Sequence, residues 1–355
     1  MLKITAPFQN AGEVDALIDA GADELYCGYL PREWEKEFTS LEFERKGSCS
    51  NFTDLKELAE AVRIAHSRKV PVYLALNGLY VASQYALLLK IIADLEKVDF
   101  DAYIIADIGL LLTLRRLKTG KKLHISTGGT VFNSESVDFY ASLGASRIVL
   151  DRQTRISNMY ELAAAHPGID FEVFILSTYC VFIDGFCTFL HIYGLYPELP
   201  IEGGKAAVSG QQLEIVSSYG QRAAVDSCCL KYSALAYTAA EHHKAGPGIK
   251  PVFYKQLKDG LECGICALRE ISRTKVASVK IIGRQQTPAQ RLKYVKLVRS
   301  ALDILKENAG IAAKDFQFKV QESYRKLFNY PGPCRGNNCY HPEILVVPPR
   351  KFRRR

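Results

Sequence analysis

No run of about 18 apolar residues occurs in this 355-residue chain, which excludes a membrane-spanning helix. The first residues, MLKITAPFQNAGEVDALIDAGADELY, lack a basic stretch followed by an apolar core, so no secretory signal and a cytoplasmic location are expected. Charge of one sign is not in great excess. The formal net charge is +8, and 48% hydrophobic with 24% charged residues excludes a disordered chain. A glycine-rich phosphate turn is also missing after the first strand-like run. APFQNAGEV holds one glycine there, which argues against an open dinucleotide-binding sheet.

What is present is a regular alternation. Strand-like runs at 2–5, 23–29, 71–77, 102–107, 123–127, 147–151, 171–176 and 279–283 alternate with amphipathic segments such as Asp54–Arg68, Gln84–Lys97, Leu110–Leu117, Ser134–Leu143 and Asn158–His166. Eight strands in parallel βα units predict a closed (β/α)8 TIM-like barrel. Residues 1–176 supply strands one to seven. An inserted cysteine-rich lobe at 177–278 follows, since about a hundred residues exceed any ordinary βα connection. Residues 279–330 give the last strand and helix, with Pro288 in the first turn of a helix over Thr287–Glu307. A cysteine-containing loop and basic tail occupy 331–355. The lobe leaves and rejoins the barrel between strands seven and eight, so it is expected to cover the barrel mouth.

Six of the ten cysteines fall between Cys180 and Cys266, in the stretch where the βα rhythm stops. They come in pairs: Cys180 with Cys187, Cys228 with Cys229, and Cys263 with Cys266. Thiols are kept reduced in a cytoplasm, so paired spacing within one segment points to shared ligation of a metal or cluster over a disulfide framework. Four thiolates hold either zinc or an iron–sulfur cluster. Cys49, Cys334 and Cys339 are candidates for a second site. The tail carrying Lys351, Arg353, Arg354 and Arg355 could touch RNA phosphates.

Active sites of such barrels form where strands end, which singles out Asn77, Asp107, Arg152 and Lys280 as catalytic candidates and Ser126, Thr127 and Arg284 as substrate-binding ones. Arg152, Lys280 and Arg284 would make the mouth cationic and suited to an anionic small molecule or a nucleotide.

The runs LHISTGGTVFNSESVDFYASLGASRIVLDRQ, EVFILSTYC, CVFIDGFC and SVKIIGR, with ITAP, NAGEVDALIDAGADELYCG, SNFTDLKELAEAVRIAH and VYLALN before them, resemble the U32 family of collagenase-like peptidases in order and spacing over roughly residues 1 to 285. The resemblance implies a (β/α)8-like barrel. It also implies oxygen-independent hydroxylation of an RNA base or of a small aromatic ring such as that of ubiquinone. A 4Fe-4S cluster is implied as cofactor, with zinc as the alternative, and the implied ligands are Cys180, Cys187, Cys228 and Cys266, with Cys229 and Cys263 as substitutes. RNA or a homologous partner subunit are the implied macromolecular partners. The other functions open to a chain of this kind are a U32-type peptidase or a non-catalytic partner subunit. Gln153, Leu176 with Ser177, and Ile282 stand where the family pattern carries glutamate, histidine–glycine and glutamate. Losing these ionisable groups removes the usual general bases and favours redox chemistry over hydrolysis.

Overall fold

The computed structural model describes residues 2–38, 50–177, 183–186, 263–329 and 339–344, with the backbone of 205–208 and 211–214. Eight parallel strands close one barrel: β1 (Lys3–Pro7), β2 (Glu24–Gly28), β3 (Val72–Leu76), β4 (Ala102–Ile105), β5 (Lys122–Ile125), β6 (Ala145–Val149), β7 (Asp170–Leu176) and β8 (Ser278–Ile281). The ring follows chain order and closes at β1, where Thr5 stands opposite both Glu24 of β2 and Lys280 of β8.

Alternate residues of a strand face opposite ways, and the barrel sorts them by chemistry. Leu25, Cys27, Leu74, Ile105, Ile148, Val173 and Val279 face outward into one large core shared with the helices. The intervening Glu24, Tyr26, Tyr73, Arg147, Glu172 and Lys280 fill the lumen. Helix Leu55–Ser67 shows how the outer layer is built. It buries Leu58, Ala61, Val62 and Ala65, one stripe of a 3.6-residue repeat, and Asp54 caps its start by accepting from Lys56 N and Glu57 N at 2.6 and 3.2 Å. Helix Pro288–Glu307 starts as its sequence predicts, with Thr287 accepting from Gln290 N at 3.3 Å.

Two expectations change. The stretch 279–330 carries two long helices, not one, because Ala313–Phe328 follows Pro288–Glu307. Its apolar residues Phe316, Val320, Tyr324 and Phe328 recur every four positions in an otherwise polar segment, and Phe328 meets Tyr294 at 5.9 Å between ring centroids. The insertion is also shorter than 177–278. The chain forms one compact unit from Met1–Cys187 with Leu261–Arg355, and a second from Thr188–Gly260. Ile265, Leu268 and Ile271 explain the boundary, since all three are fully buried in the barrel core. Cys263 and Cys266 therefore belong to the barrel unit. In the second unit, 205–208 and 211–214 pair as an antiparallel hairpin. Among the described residues no helix is long and apolar enough to cross a membrane.

Candidate active site at the barrel mouth

The lumen is ionic at its centre. Arg147 Nη1 and Nη2 donate to Glu24 Oε2 and Oε1 at 2.6 and 3.0 Å, and Nη1 also reaches Glu172 Oε2 at 3.2 Å. Lys280 Nζ donates to the other oxygen of Glu172 at 2.6 Å and lies 4.0 Å from the centroid of the Tyr26 ring. Thr5 and Ser278 donate to the same carboxylates at 2.9 to 3.0 Å. Burial pushes the Glu172 carboxyl up, but Lys280 and Arg147 outweigh it and hold the group down at about 2. His124, in the same lumen, is lowered to about 3 by burial and then by the Arg147 charge, so its imidazole stays neutral. Val149, Phe174, Ile282 and Tyr340 form a separate apolar cluster.

The candidate residues at strand ends fall into different environments. Asn77 and Ser126 come together, Nδ2 donating to Oγ at 3.4 Å, and the buried Oδ1 of Asn77 has no hydrogen-bond partner. Ser126 also accepts from Gly128 N at 3.4 Å, capping the short turn Thr127–Gly129 in which Thr127 is buried. Asp107 is engaged in architecture. Its Oδ1 accepts from Leu110 N and Tyr85 Oη at 2.6 and 3.0 Å, and its Oδ2 accepts from Tyr80 N at 3.2 Å. Burial and the Asp107 charge push the Tyr85 hydroxyl up to about 12.

Each of the three cations is engaged by a partner within the barrel unit. Lys280 lies within the lumen, a strand residue and not a rim residue, paired with Glu172. Arg284 is buried and donates to Asn51 Oδ1 at 2.9 Å. Gly28 makes that contact possible, because a Cβ there would collide with both Asn51 and Arg284. Arg152 pairs with Asp184 at 2.6 Å.

Cys180, Cys187, Cys228 and Cys229 lie outside the described residues, as do Cys49, Cys334 and the basic tail. Cys266 is buried in the turn Ile265–Ala267, with Gln321 Nε2 4.0 Å from its sulfur. Cys263 stands at the strand end itself. Its backbone bridges Leu176 on one side and Cys339 on the other, and Tyr340 N donates to its carbonyl at 3.1 Å. Tyr340 Oη in turn donates to the carbonyl of Ser177, which has a left-handed φ of 67°. Cys339 was legible only as a loop thiol, since nothing in NYPGPCRGNNCYHPE predicts pairing with a residue 76 positions earlier. Glu24, Arg147 and Glu172 did carry a signal. Each is a charge inside an apolar strand, and in a closed barrel such a charge must point into the lumen.

A closed eight-stranded parallel barrel with its polar residues converging at the lumen and strand ends defines an α/β barrel protein of the kind that binds ligands at the C-terminal ends of its strands. The family model described as Peptidase family U32 matches residues 9–343, and the chain belongs to that family. It is 26% identical over 190 residues to the tRNA hydroxylation protein P of Helicobacter pylori, covering 52% of this chain and 42% of that protein. It is 28% identical over 193 residues to the 23S rRNA 5-hydroxycytidine synthase of Escherichia coli, covering 54% of this chain and 26% of that enzyme. A solved U32 peptidase is similar at a TM-score of 0.39 and 13% identity, over 50% of this chain and 69% of that one. The chain thus spans less than half the length of these two curated relatives.

Proposed function

We propose that this chain is a redox enzyme of RNA modification, hydroxylating a nucleic-acid base without molecular oxygen with the help of a thiolate-bound 4Fe-4S cluster. The observation that carries the reading is the placement of Cys263 beside Cys339 at the C-terminal end of β7, the end of a parallel barrel where ligands bind. Family membership and the RNA-hydroxylating relatives supply the reaction class. The donors fit a thiophilic centre in kind. Cys263 Sγ accepts from Ile265 N at 3.5 Å. Among the described residues no three ligating side chains converge on one point, and the other candidate ligands lie outside them. When bound, the cluster supplies one-electron transfer. The Cys263-x-x-Cys266 spacing favours zinc as the second reading.

The barrel's own residues contribute binding and exclusion. Asn77 offers an unpartnered acceptor next to the Ser126 hydroxyl, suited to a planar N–H edge such as a base presents. The ionic lumen and the Ile282 cluster close the site from below. Two measurements test the reading. Anaerobically purified protein is expected to absorb near about 400 nm, where sulfur-to-iron charge transfer falls. RNA from cells lacking the chain is expected to lose a nucleoside heavier by one oxygen, which the chain restores on re-expression. Colourless, iron-free protein and an unchanged nucleoside profile would refute it.

A further inference from the structure

Single exposed apolar side chains are ordinary on a protein surface, and Phe139, Tyr160 and Phe318 lie on outer helices where nothing more is asked of them. Phe186 differs in its setting. At 72% exposure it is the most exposed large apolar side chain among the described residues, and it closes the short turn Asp184–Phe186. Three contacts fix that turn to the ends of β5 and β6. Arg152 Nη1 donates to both carboxylate oxygens of Asp184, at 2.6 and 2.7 Å, in a pair whose side chains are only 10% and 11% exposed. Asp184 N donates to Asp151 Oδ2 at 3.2 Å. Gly185 packs so closely against Thr130 Oγ1 and the Gly128 carbonyl that a Cβ would collide with both.

The two residues before Phe186 are thus held at the barrel mouth while its ring stays in water. Ordering a surface turn costs chain entropy, and burial of this ring offsets little of it. The ordering is explained when the ring meets a partner that comes from solution. Its surroundings indicate which partner. Gly128, whose carbonyl Gly185 abuts, donates its N–H to Ser126 Oγ at 3.4 Å, and Asn77 Nδ2 donates to the same oxygen at 3.4 Å. A short chain of contacts therefore links the Phe186 turn to the buried Asn77 acceptor that lacks a hydrogen-bond partner. Arg152 does not favour a phosphate here, because Asp184 already neutralises it. An aromatic face and an amide edge on one rim match a nucleobase, which is flat and polarisable above and polar at its edge.

We infer that Phe186 is a stacking platform for an unpaired RNA base adjoining the base held at Asn77 and Ser126. Asp151, Arg152 and Asp184 are the residues that keep the platform in place. The inference rests on the RNA reading above and names how the strand is gripped beside the reacting base. Bases of single strands commonly stack on aromatic side chains, a contact tolerant of sequence because every base has a π face.

The test measures binding of the full-length protein to a short single-stranded oligoribonucleotide carrying a fluorescent purine analogue, and to the same strand annealed to its complement. Wild type is compared with Phe186→Ala, Phe186→Leu, Phe186→Trp, Asp184→Asn and, as a control on an outer helix, Tyr160→Ala. Phe186→Ala and Phe186→Leu are expected to bind the single strand about five- to a hundredfold more weakly, the range for one base on one ring. Quenching of the analogue should fall with them while the thermal midpoint stays at the wild-type value. Phe186→Trp is expected to restore both signals, Tyr160→Ala to match wild type, and Asp184→Asn to weaken binding although the ring is present. Phe186→Leu that binds and quenches like wild type overturns the inference, because an apolar side chain without a π face then suffices. Equal affinity for the annealed duplex overturns it too. Wild type that leaves the single strand unbound yet binds RNA extracted from cells lacking the chain overturns this inference alone. Wild type that binds neither removes the RNA reading as well.

Discussion

Arg147 of β6 and Glu24 of β2 meet across the barrel lumen in a two-bond fork, Nη1 to Oε2 at 2.6 Å and Nη2 to Oε1 at 3.0 Å. Neither side chain has appreciable contact with water. The pair ties together strands that are not neighbours in the ring. Arg147→Met is expected to destabilise the protein by about 3 to 5 kcal/mol, because it takes from the buried Glu24 its two-bond partner and leaves Thr5 and the half-exposed Lys3 beside it. The double variant Glu24→Gln/Arg147→Met is expected to lose less than the sum of the single variants. Denaturant melts of the four proteins check this, and additive losses would show that the two side chains are not coupled.

Acid should weaken the fold through His124 and Glu172 together. His124 is lowered from 6.5 to about 3, so below pH 6.5 the unfolded chain takes up a proton that the folded one refuses. Glu172 is lowered from 4.5 to about 2, so its contribution is present above 4.5 and is lost as pH falls toward 2. Both act in the same direction, and stability rises with pH from about 3 to 6.5. At pH 4 the histidine alone accounts for about 3 kcal/mol. His124→Gln should flatten the stability profile between pH 4 and 6.5, as measured by thermal melts. A slope equal to wild type would assign the effect elsewhere.

Cys180→Ala and Cys187→Ala are each expected to abolish bound iron and sulfide, whereas Cys228→Ala and Cys229→Ala should be partly tolerated because adjacent thiols can replace one another. Cys263 and Cys266 separate by environment. The one that costs iron while leaving the thermal midpoint unchanged is the ligand, and the one that costs midpoint is a packed core thiol. Full iron in both Cys180→Ala and Cys187→Ala would show the ligand assignment to be wrong.

No cleavage of gelatin or casein is expected, with or without reductant. Gln153, Leu176 and Ile282 stand where the family resemblance expects an ionisable group, and Ile282 is part of an apolar cluster. Digestion followed by gel electrophoresis checks this. Cleavage that disappears in Cys180→Ala, or in His191→Ala at the histidine nearest the Cys180/Cys187 pair in sequence, would overturn the redox reading.

The barrel was legible because each strand is a short β-branched or aromatic run and each helix shows a buried stripe with a capping residue. Asp107 shows where this legibility ends. Its position at a strand end marks it for chemistry, yet the same position is the start of a helix, and capping took its carboxylate. Lys280 is the penultimate residue of its strand and its side chain turns into the lumen onto Glu172, a pairing that strand pattern alone does not reveal. The Asn77–Ser126 contact was within reach, since both close strands of one barrel. The Arg152–Asp184 pair was not, because no periodic pattern links a strand end to a turn 32 residues away.

The lumen lattice also bears on how the chain is made. Glu172 on β7 is complete only when Ser278 and Lys280 arrive on β8, and at ribosomal rates of about 5 to 20 residues per second the intervening hundred residues take several seconds to appear. The strand that closes the ring between β7 and β1 is thus the last to be made, and it brings with it the lysine partner of Glu172. A strand of another chain docking in that gap would leave one oxygen of Glu172 without this lysine, which disfavours the wrong closure.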